Sequence, residues 1–368
     1  MVVEWLSTNK GSDQGNSAYH FHLSRFPRWS ASHRHPFGAI IPSQRSSELF
    51  GAIGEDSKQK YFLAQTRRRM ETEYLAYDTT SVSSHSKLLK QVRYGHNKDH
   101  ESLPQINLAL LFGETTGLPV YYRKLPGNIN DVMTIRRLLG DIDFLEFDKV
   151  KLFMDRGFYS EDNINALFQH HYKFLIGVRK SLKLVQATLD EVRDSMLSRT
   201  TYSSRFRVNY HSRTVVWKYR KINKQSETVD QGDRRLYLHL YFNDQRAVDD
   251  KATFNALLDA LAEELLSGTS NPEHKKLYAK YFDISQTPVR GVALIPKQDA
   301  IDTVAKNYGY FSLISNDIKD PLEALGIYWP RMSLKRPSEI LRRGSTYAAP
   351  PCHRRRVSKG SSSSSLSP

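Results

Sequence analysis

The order of strand-like and helix-like segments after residue 73 constrains the fold of this chain most strongly. Segment 73–84, EYLAYDTTSVSS, alternates in polarity and holds Tyr, Val and Thr, which is typical of a strand. Segment 105–128 contains two apolar runs around a Gly-Glu-Thr-Thr-Gly turn, which predicts a hairpin. From Asp131 onward, apolar residues recur three to four positions apart, which predicts a helix.

The same alternation of element types continues up to residue 180. Segment 149–160, ending in MDRGFYS, predicts a buried strand that runs into a loop, and 172–180, YKFLIGVRK, predicts another strand. Between them, Ser160 and the following Asn163 predict a helix that ends at the His170-His171 pair. Strand, hairpin, helix, strand, helix and strand in this order predict a mixed α/β fold.

The composition and the pattern of predicted elements change after Lys180. Residues 200–245 are polar and rich in strand-forming runs, and a helical stretch, KATFNALLDALAEELLS, follows them. Residues 308–317, YGYFSLISND, predict a return to a core strand. We therefore interpret 181–305 as a strand-rich insertion into an α/β domain. Before the first strand, residues 46–73 predict a helical stretch.

The charge of the chain indicates a polyanionic partner, and nucleic acid is the simplest one. The net charge is +15 and the pI is about 9.6. About half of that charge lies in 329–368, where nine Lys and Arg residues accompany one acid. The stretch ends in KGSSSSSLSP, whose composition predicts disorder.

The chain contains neither a phosphate-binding Gly-x4-Gly-Lys motif nor a nucleophile elbow, so nucleotide and serine-hydrolase chemistry are not indicated. One cysteine, Cys352, is consistent with a reducing cytoplasm.

Two aspartates occupy positions where a carboxylate is costly. Asp78 lies within the first predicted strand, and Asp155 follows the apolar run LFM at the end of another. A buried acid needs compensation. One interpretation is structural, with Asp155 paired to Arg156 or capping the next helix. The other is a metal site, because carboxylates on neighbouring strands suit Mg²⁺, and such ions can hold a phosphodiester for in-line attack.

The blocks around these aspartates carry a family resemblance. YDTTSVSS, NLALLFGETTGLPVYYRKLPGNINDV, MDRGFYSEDNI and FSLISNDIKDPLEALGIY occur in this order within about 46–328. They resemble the bacterial insertion-sequence transposases of the DDE class, in the insertion-sequence-4-like group marked by a Tyr-x2-Arg/Lys-x3-Glu-x6-Lys motif. The resemblance implies an RNase H-like mixed sheet with flanking helices, and an insertion between the second and third acids.

The same resemblance implies a set of roles and partners. Asp78 and Asp155 would be the first and second metal-binding, catalytic acids, with Mg²⁺ as cofactor and Mn²⁺ as a substitute. The partners would be double-stranded DNA, as the element's terminal inverted repeats and target DNA, and a second copy of the chain on paired ends. No membrane association is expected, and the location would be cytoplasmic, at the nucleoid. The residues expected to contact DNA are Arg156, Tyr159, Arg123, Lys124 and Tyr328, the last matching the motif's Tyr.

The third acid of the family is missing from the expected position. The motif places a Glu seven residues after its Tyr, where this chain has Lys335, and a charged lysine repels metal ions. Pro330 and Pro337 are also expected to break a helix there. Residues 332–346 can be back-translated with permitted codons, and those codons can then be read in another frame, starting at the third base of the Met332 codon. The peptide read in this frame is V-V-E-K-A-F-G-N-L-K-E-R-L-N. It has the pattern of an amphipathic helix, with the Glu at position 335 and a Lys seven residues later. The sequence after Tyr328 is therefore predicted to be out of frame.

These observations predict five regions and leave three functional hypotheses. The regions are an N-terminal segment at 1–73, interpreted as a shortened DNA-binding region; the first part of the catalytic core at 74–180; the insertion at 181–305; the return to the core at 306–328; and an out-of-frame basic tail at 329–368. The first hypothesis is a DNA transposase whose present copy is inactive. The second is a non-catalytic DNA-binding remnant that inhibits a full-length transposase, and the third is an unstable relic.

Overall fold

A large mixed sheet organises the chain in the computed structural model. The structure describes residues 31, 34, 38–40, 42–69, 74–83, 90–95, 103–114, 116–117, 119–144, 150–222, 228–287 and 291–333. Its α-helices are α1 (Ser43–Ala52), α2 (Glu55–Arg69), α3 (Asp131–Phe144), α4 (Glu161–Gln169), α5 (Lys183–Met196), α6 (Asp244–Leu266), α7 (Lys275–Tyr281), α8 (Gln298–Ala305) and α9 (Pro321–Ser333). Its strands are β1 (Leu75–Ser83), β2 (Gln105–Gly113), β3 (Pro119–Pro126), β4 (Lys151–Met154), β5 (Lys173–Val178), β6 (Tyr202–Ser203), β7 (Val208–Ile222), β8 (Thr228–Phe242), β9 (Phe282–Thr287), β10 (Gly291–Pro296) and β11 (Tyr310–Ser315).

Nine of these strands form one sheet, in the order β3-β2-β1-β4-β5-β11-β8-β7-β6. Strands β1, β4 and β5 are parallel to one another, and every other neighbouring pair is antiparallel. Parallel neighbours need a crossover connection, which α3 and α4 provide. The sheet and its helices confirm the predicted mixed α/β class, and the bounds confirm the predicted strands, hairpin and helices between residues 73 and 180.

The two faces of the sheet pack against different helices. The rear face, which carries Tyr77 and Leu152, packs against helices α3, α4 and α5 in the larger core cluster. The front face, which carries Ala76 and Phe153, is covered by α9. Helix α9 buries Ala324 and Leu325 completely on this face, so it belongs to the core of the domain.

Two helix predictions need correction. The predicted helix over 46–73 is two helices, because Ile53 adopts an extended conformation and Gly54 separates α1 from α2. The last helix does not end before Pro330: α9 continues to Ser333. Proline removes one backbone hydrogen bond, but Tyr328 and Trp329 pack against the front core cluster and hold this end of the helix in place. Residue 335, Pro337 and most of the predicted tail lie outside the described residues.

The segment predicted as an insertion contributes in two ways. Its strands β6, β7 and β8 extend the main sheet beyond β11. Its helices α6, α7 and α8 pack with the two-stranded sheet β9–β10 in a third core cluster that includes Phe254, Leu261 and Tyr281. The division of the chain into an insertion and a core remains a prediction.

A buried histidine joins the extended sheet to the start of α9. His239 on β8 is completely buried; its Nε2 lies 3.0 Å from the Ile318 carbonyl oxygen and its Nδ1 lies 2.9 Å from the Ser212 Oγ. Tyr241, two residues along β8, donates from its hydroxyl to the Pro321 carbonyl over 2.7 Å. A neutral imidazole that donates to Ile318 and accepts from Ser212 satisfies both contacts. The loop before α9 is therefore fastened to β7 and β8.

This arrangement predicts a pH dependence of stability. Burial lowers the pKa of His239 from 6.5 to about 4. The unfolded chain therefore binds a proton more readily between these values, so the contribution is fully present above pH 6.5 and is lost as pH falls toward 4. At 1.36 kcal/mol per pKa unit this amounts to about 3 kcal/mol. Urea unfolding from pH 7 to 4.5 should show this loss, and His239→Gln should reduce the slope. The exposed control His171→Asn should leave the slope unchanged; an equal slope in His239→Gln would contradict the assignment.

Candidate active site

Asp78, Asp155 and Gly177 form one row across the three parallel strands. The last paired residues of β1, β4 and β5 are Tyr77, Met154 and Ile176, and each member of the row is the next residue along its strand. Asp155 continues the extended backbone of β4. Because side chains alternate along a strand, Asp78 and Asp155 share the front face with Ala76 and Phe153. The two aspartates therefore lie on neighbouring strands of the same face, and such strands are spaced about 4.8 Å apart.

The turn after β4 holds Asp155 in place. Residues Arg156–Phe158 form a single 3₁₀ turn, and the Asp155 carboxylate caps it by accepting a hydrogen bond from the Arg156 N–H over 2.6 Å. Asn163 of α4 supports the turn from behind: its amide donates to the carbonyl oxygens of Phe158, over 2.8 Å, and Val132, over 2.9 Å. Ser160 caps α4 by accepting from the Asn163 N–H, as predicted. The capping interpretation of Asp155 is thus confirmed for this short turn, while its role as a metal ligand stays a prediction.

Asp78 occupies a buried position on a strand with neighbours on both sides. The residue is only 4% exposed, and its Oδ1 accepts a hydrogen bond from the Thr79 N–H over 2.9 Å. Thr79 points to the rear face, where its hydroxyl donates to Asp131 at the start of α3. This contact locks β1 to the helix behind it. A carboxylate buried to this degree needs strong compensation, which cations or further hydrogen bonds supply.

Helix α9 brings Tyr328 to the same row. The Tyr328 ring contacts the Phe153 ring edge-to-face, with centroids 5.5 Å apart. A Cβ atom added to Gly177 would lie 3.4 Å from the Tyr328 hydroxyl and 3.1 Å from the Arg156 backbone nitrogen. Glycine in this buried strand therefore makes room for the turn after Asp155 and for Tyr328. Sequence reasoning did not single out Gly177, although a glycine inside a buried strand often marks such a close approach.

The residues expected to contact DNA lie on different faces. Lys124 pairs with Leu108, and Leu108 with Thr80, so Lys124 shares the front face with Asp78. Arg123 points to the rear, where it forms an ion pair with Asp141 that raises the pKa of its guanidinium. The Asp141 carboxylate also accepts from the Tyr121 hydroxyl over 2.7 Å.

The two expected contacts that follow Asp155 also differ in their exposure. Arg156 is exposed on the 3₁₀ turn. Tyr159 is half-buried against the rear core cluster, and the pKa of its hydroxyl is raised by burial and by nearby Glu161. The Arg156 side chain is therefore available to a ligand beside the aspartates, whereas Tyr159 packs behind the turn on the rear face.

The described residues offer a divalent cation two carboxylates. Asp78 and Asp155 supply oxygen donors, which hard cations prefer, on adjacent strands of one face. Within the described ranges no group of three or more His, Cys, Asp or Glu residues is placed to hold a metal ion. Helix α9 ends at Ser333, two residues before Lys335, so the position of the expected third acid follows directly after the described helix.

The comparison with protein families identifies the class of this chain. A family described as "Transposase DDE domain" matches residues 69–281. This match spans more than half of the chain, so the chain belongs to the DDE transposase family. Both aspartates of the row lie within the matched residues. Members of this family generally use divalent metal ions.

Comparisons with individual proteins add little detail. No curated protein matches the chain. Among solved structures, the cryo-EM structure of a piggyBac transposase synaptic complex with hairpin DNA is similar at 12% identity and a TM-score of 0.31. The alignment covers 66% of this chain and 48% of that one, so the chain spans about half the length of that protein. Of the helices that the structure describes, none has the length and apolar character needed to cross a membrane.

The packing around Gly177 predicts opposite effects of two glycine substitutions. Gly177→Ala should lower the free energy of unfolding by about 1–3 kcal/mol, because its methyl group crowds the Arg156 backbone. Gly140→Ala, in the interior of α3 with no atom within 4 Å of the added Cβ, should raise it by about 0.5–1 kcal/mol. Urea unfolding of both variants measures the difference. Equal stabilisation by both substitutions would show that the row is not closely packed at Gly177.

Proposed function

We propose that this chain is a DNA transposase of an insertion sequence, built to cut DNA at the element's ends and to join the 3′-hydroxyl to target DNA. The observation that carries this proposal is the row of Asp78 and Asp155 on neighbouring parallel strands, with the Tyr328 hydroxyl of α9 beside it. The DDE family match includes both aspartates and supports the same chemistry. Strand order β3-β2-β1-β4-β5, with β2 antiparallel to both neighbours, supports an RNase H-like core.

Asp78 and Asp155 would hold Mg²⁺, or Mn²⁺ in its place. Bound divalent cations can activate the attacking hydroxyl and stabilise the leaving oxygen of a phosphodiester. The protein's own contribution is positional: the paired strands hold the carboxylates on one face, and the capped turn fixes the direction of Asp155. Arg156 and Lys124, exposed on or beside that face, would contact phosphates of the DNA, and Tyr328 would lie against the reacting end.

The loss of the third acid explains why we propose that this copy is inactive. In the insertion-sequence-4-like motif, the Tyr at position 328 is followed by a Glu at position 335, and this chain has Lys335. Tyr328, which matches the Tyr of the motif, lies beside the turn after Asp155, and α9 continues from there to Ser333, two residues before position 335. A single lost base near codons 329–330 accounts for the lysine, for the basic 329–368 segment and for the shifted reading that restores a Glu and a Lys seven residues apart.

Strand-transfer assays test the catalytic proposal. A chain with the reading frame restored after Tyr328 should join labelled element ends to plasmid DNA in the presence of Mg²⁺. Asp78→Asn and Asp155→Asn should each lower the rate by more than about 100-fold, since even outer-shell residues of metal sites cost 10- to 100-fold. Asp162→Asn, an exposed carboxylate on α4, is the matched control and should be neutral. The unrepaired chain should give no product, and product formation by it would refute the proposed inactivity.

A second candidate function is binding without catalysis. The observation that favours it is that the front face of the sheet keeps its packing against α9, although the chain has Lys335 where the motif has its third acid. Such a chain could occupy element ends, or pair with a full-length copy on paired ends, and so inhibit transposition from the nucleoid.

Gel-shift assays with terminal inverted repeats and scrambled duplexes of equal length test this second candidate. Tighter binding to the repeats, retained in Asp78→Asn, would support it. Equal binding to both duplexes would leave only the unspecific attraction of a basic chain.

A further inference from the structure

Four arginines lie on chain segments that meet at one edge of the sheet, the edge at which β4 ends beside Asp155. Arg179 follows β5 two residues after Gly177, on the same face as Asp155. Arg205 and Arg207 lie in the turn between β6 and β7, and Arg246 lies in the first turn of α6. We call these four residues the arginine corner. The carboxyl ends of β4, β5 and β8 and the start of β7 meet at this edge of the sheet.

Two of the four guanidinium groups of the corner lie against aromatic rings. The Arg246 guanidinium lies 5.0 Å from the centroid of the Phe311 ring, and the Arg205 guanidinium lies 4.9 Å from that of Phe206. Phe206 in turn contacts Trp329 of α9, with centroids 5.9 Å apart. Stacking fixes the plane of a guanidinium while leaving its N–H edges for acceptors. The corner is thereby coupled to the helix that lies beside the aspartates.

Asn243 connects two members of the corner. Its Nδ2 donates to the Arg207 carbonyl oxygen over 2.9 Å, and its Oδ1 accepts from the Arg246 backbone N–H over 2.8 Å. Arg207 adopts φ +53, a left-handed conformation that is uncommon for a side-chain-bearing residue. Gly309, at φ +76, packs against Asn243, where a Cβ atom would approach the Asn243 carbonyl oxygen to 2.8 Å. Backbone strain of this kind persists where surrounding contacts hold it.

The charges of the corner are not neutralised within the described residues. None of the four guanidinium groups forms an ion pair there, and three of the four side chains are exposed. The Arg246 Nε is buried and has no hydrogen-bond acceptor in the described part of the chain. The acid in the same turn of α6 is Asp244, which is exposed. By contrast, Arg123 on the opposite side of the site already pairs with Asp141.

We infer that the arginine corner binds the phosphate backbone of the DNA that leaves the active site, so that the duplex runs from Asp155 across the ends of β5, β11 and β8 toward β7. Four strand spacings from β4 to β7 measure roughly 19 Å, which is five to six base pairs at about 3.4 Å each. Arg156 begins this path at the aspartates. The inference rests on the proposed function and adds the direction of the DNA and residues of the insertion that hold it.

Salt-dependent binding of the full chain tests this inference. The probe is a fluorescein-labelled duplex carrying the element's terminal repeat, with anisotropy measured at several salt concentrations. The double variant Arg179→Gln with Arg205→Gln changes exposed side chains and should reduce the slope of log K against log salt by about 2, since each lost phosphate contact removes about 0.9.

The matched control removes the same charge from the rear side of the molecule. Arg136 and Arg213 are exposed and pair with Asp162 and Glu191, so Arg136→Gln with Arg213→Gln should leave the slope unchanged. The basic C-terminal segment is present in both variants and cancels in the comparison. Equal slopes for the two double variants would overturn the inference, and thermal unfolding of each checks that both are folded.

The outcomes also separate this inference from the proposed function. If the unmodified chain binds no DNA, the proposed function fails and the inference fails with it. If the chain binds the terminal repeat but the corner variant behaves as the control does, only the direction of the DNA is wrong. Loss of binding in the corner variant, with binding retained in Asp78→Asn, supports both.

Discussion

The parallel pairing of β1, β4 and β5 is the constraint on which the rest of this structure depends. It places Asp78, Asp155 and Gly177 at equivalent positions of three neighbouring strands. A shift of one residue in the β1–β4 pairing would turn one carboxylate to the opposite face. The helices behind the sheet enforce the register, since Thr79 contacts the start of α3 and Asn163 of α4 holds the turn after Asp155. The site is thus a consequence of core packing on the rear face.

The front face depends on elements far away in the sequence. Helix α9 covers it, and the buried His239 on β8 fastens the loop that leads into this helix. Strands β7 and β8, which lie between the second aspartate and α9 in the chain, are therefore part of the same sheet and part of the support of the site. The strand-rich segment thus extends the main sheet and carries the anchor of the last helix.

Much of the fold was predictable because local patterns agree with tertiary packing. The start of α4 at Ser160, whose side chain caps the helix, and its end at His170 were both predicted correctly. The two aspartates stood out because acids in apolar strands are costly. Strand register, however, depends on pairing between distant segments, so the sequence could not reveal that Arg123 faces away from Asp78 while Lys124 shares its face. The continuation of α9 through its proline was missed because tertiary packing overrides local helix propensity.

The most direct test of this account is the binding of Mn²⁺ by the frame-restored chain, followed by electron paramagnetic resonance of the free ion. The account predicts that Asp78→Asn and Asp155→Asn each weaken Mn²⁺ binding, because these two carboxylates share one row of the sheet. Asp162→Asn should leave Mn²⁺ binding unchanged, because Asp162 lies on the exposed surface of α4. Mn²⁺ binding that survives substitution of either member of the row would contradict the claim that these two strands build one metal site.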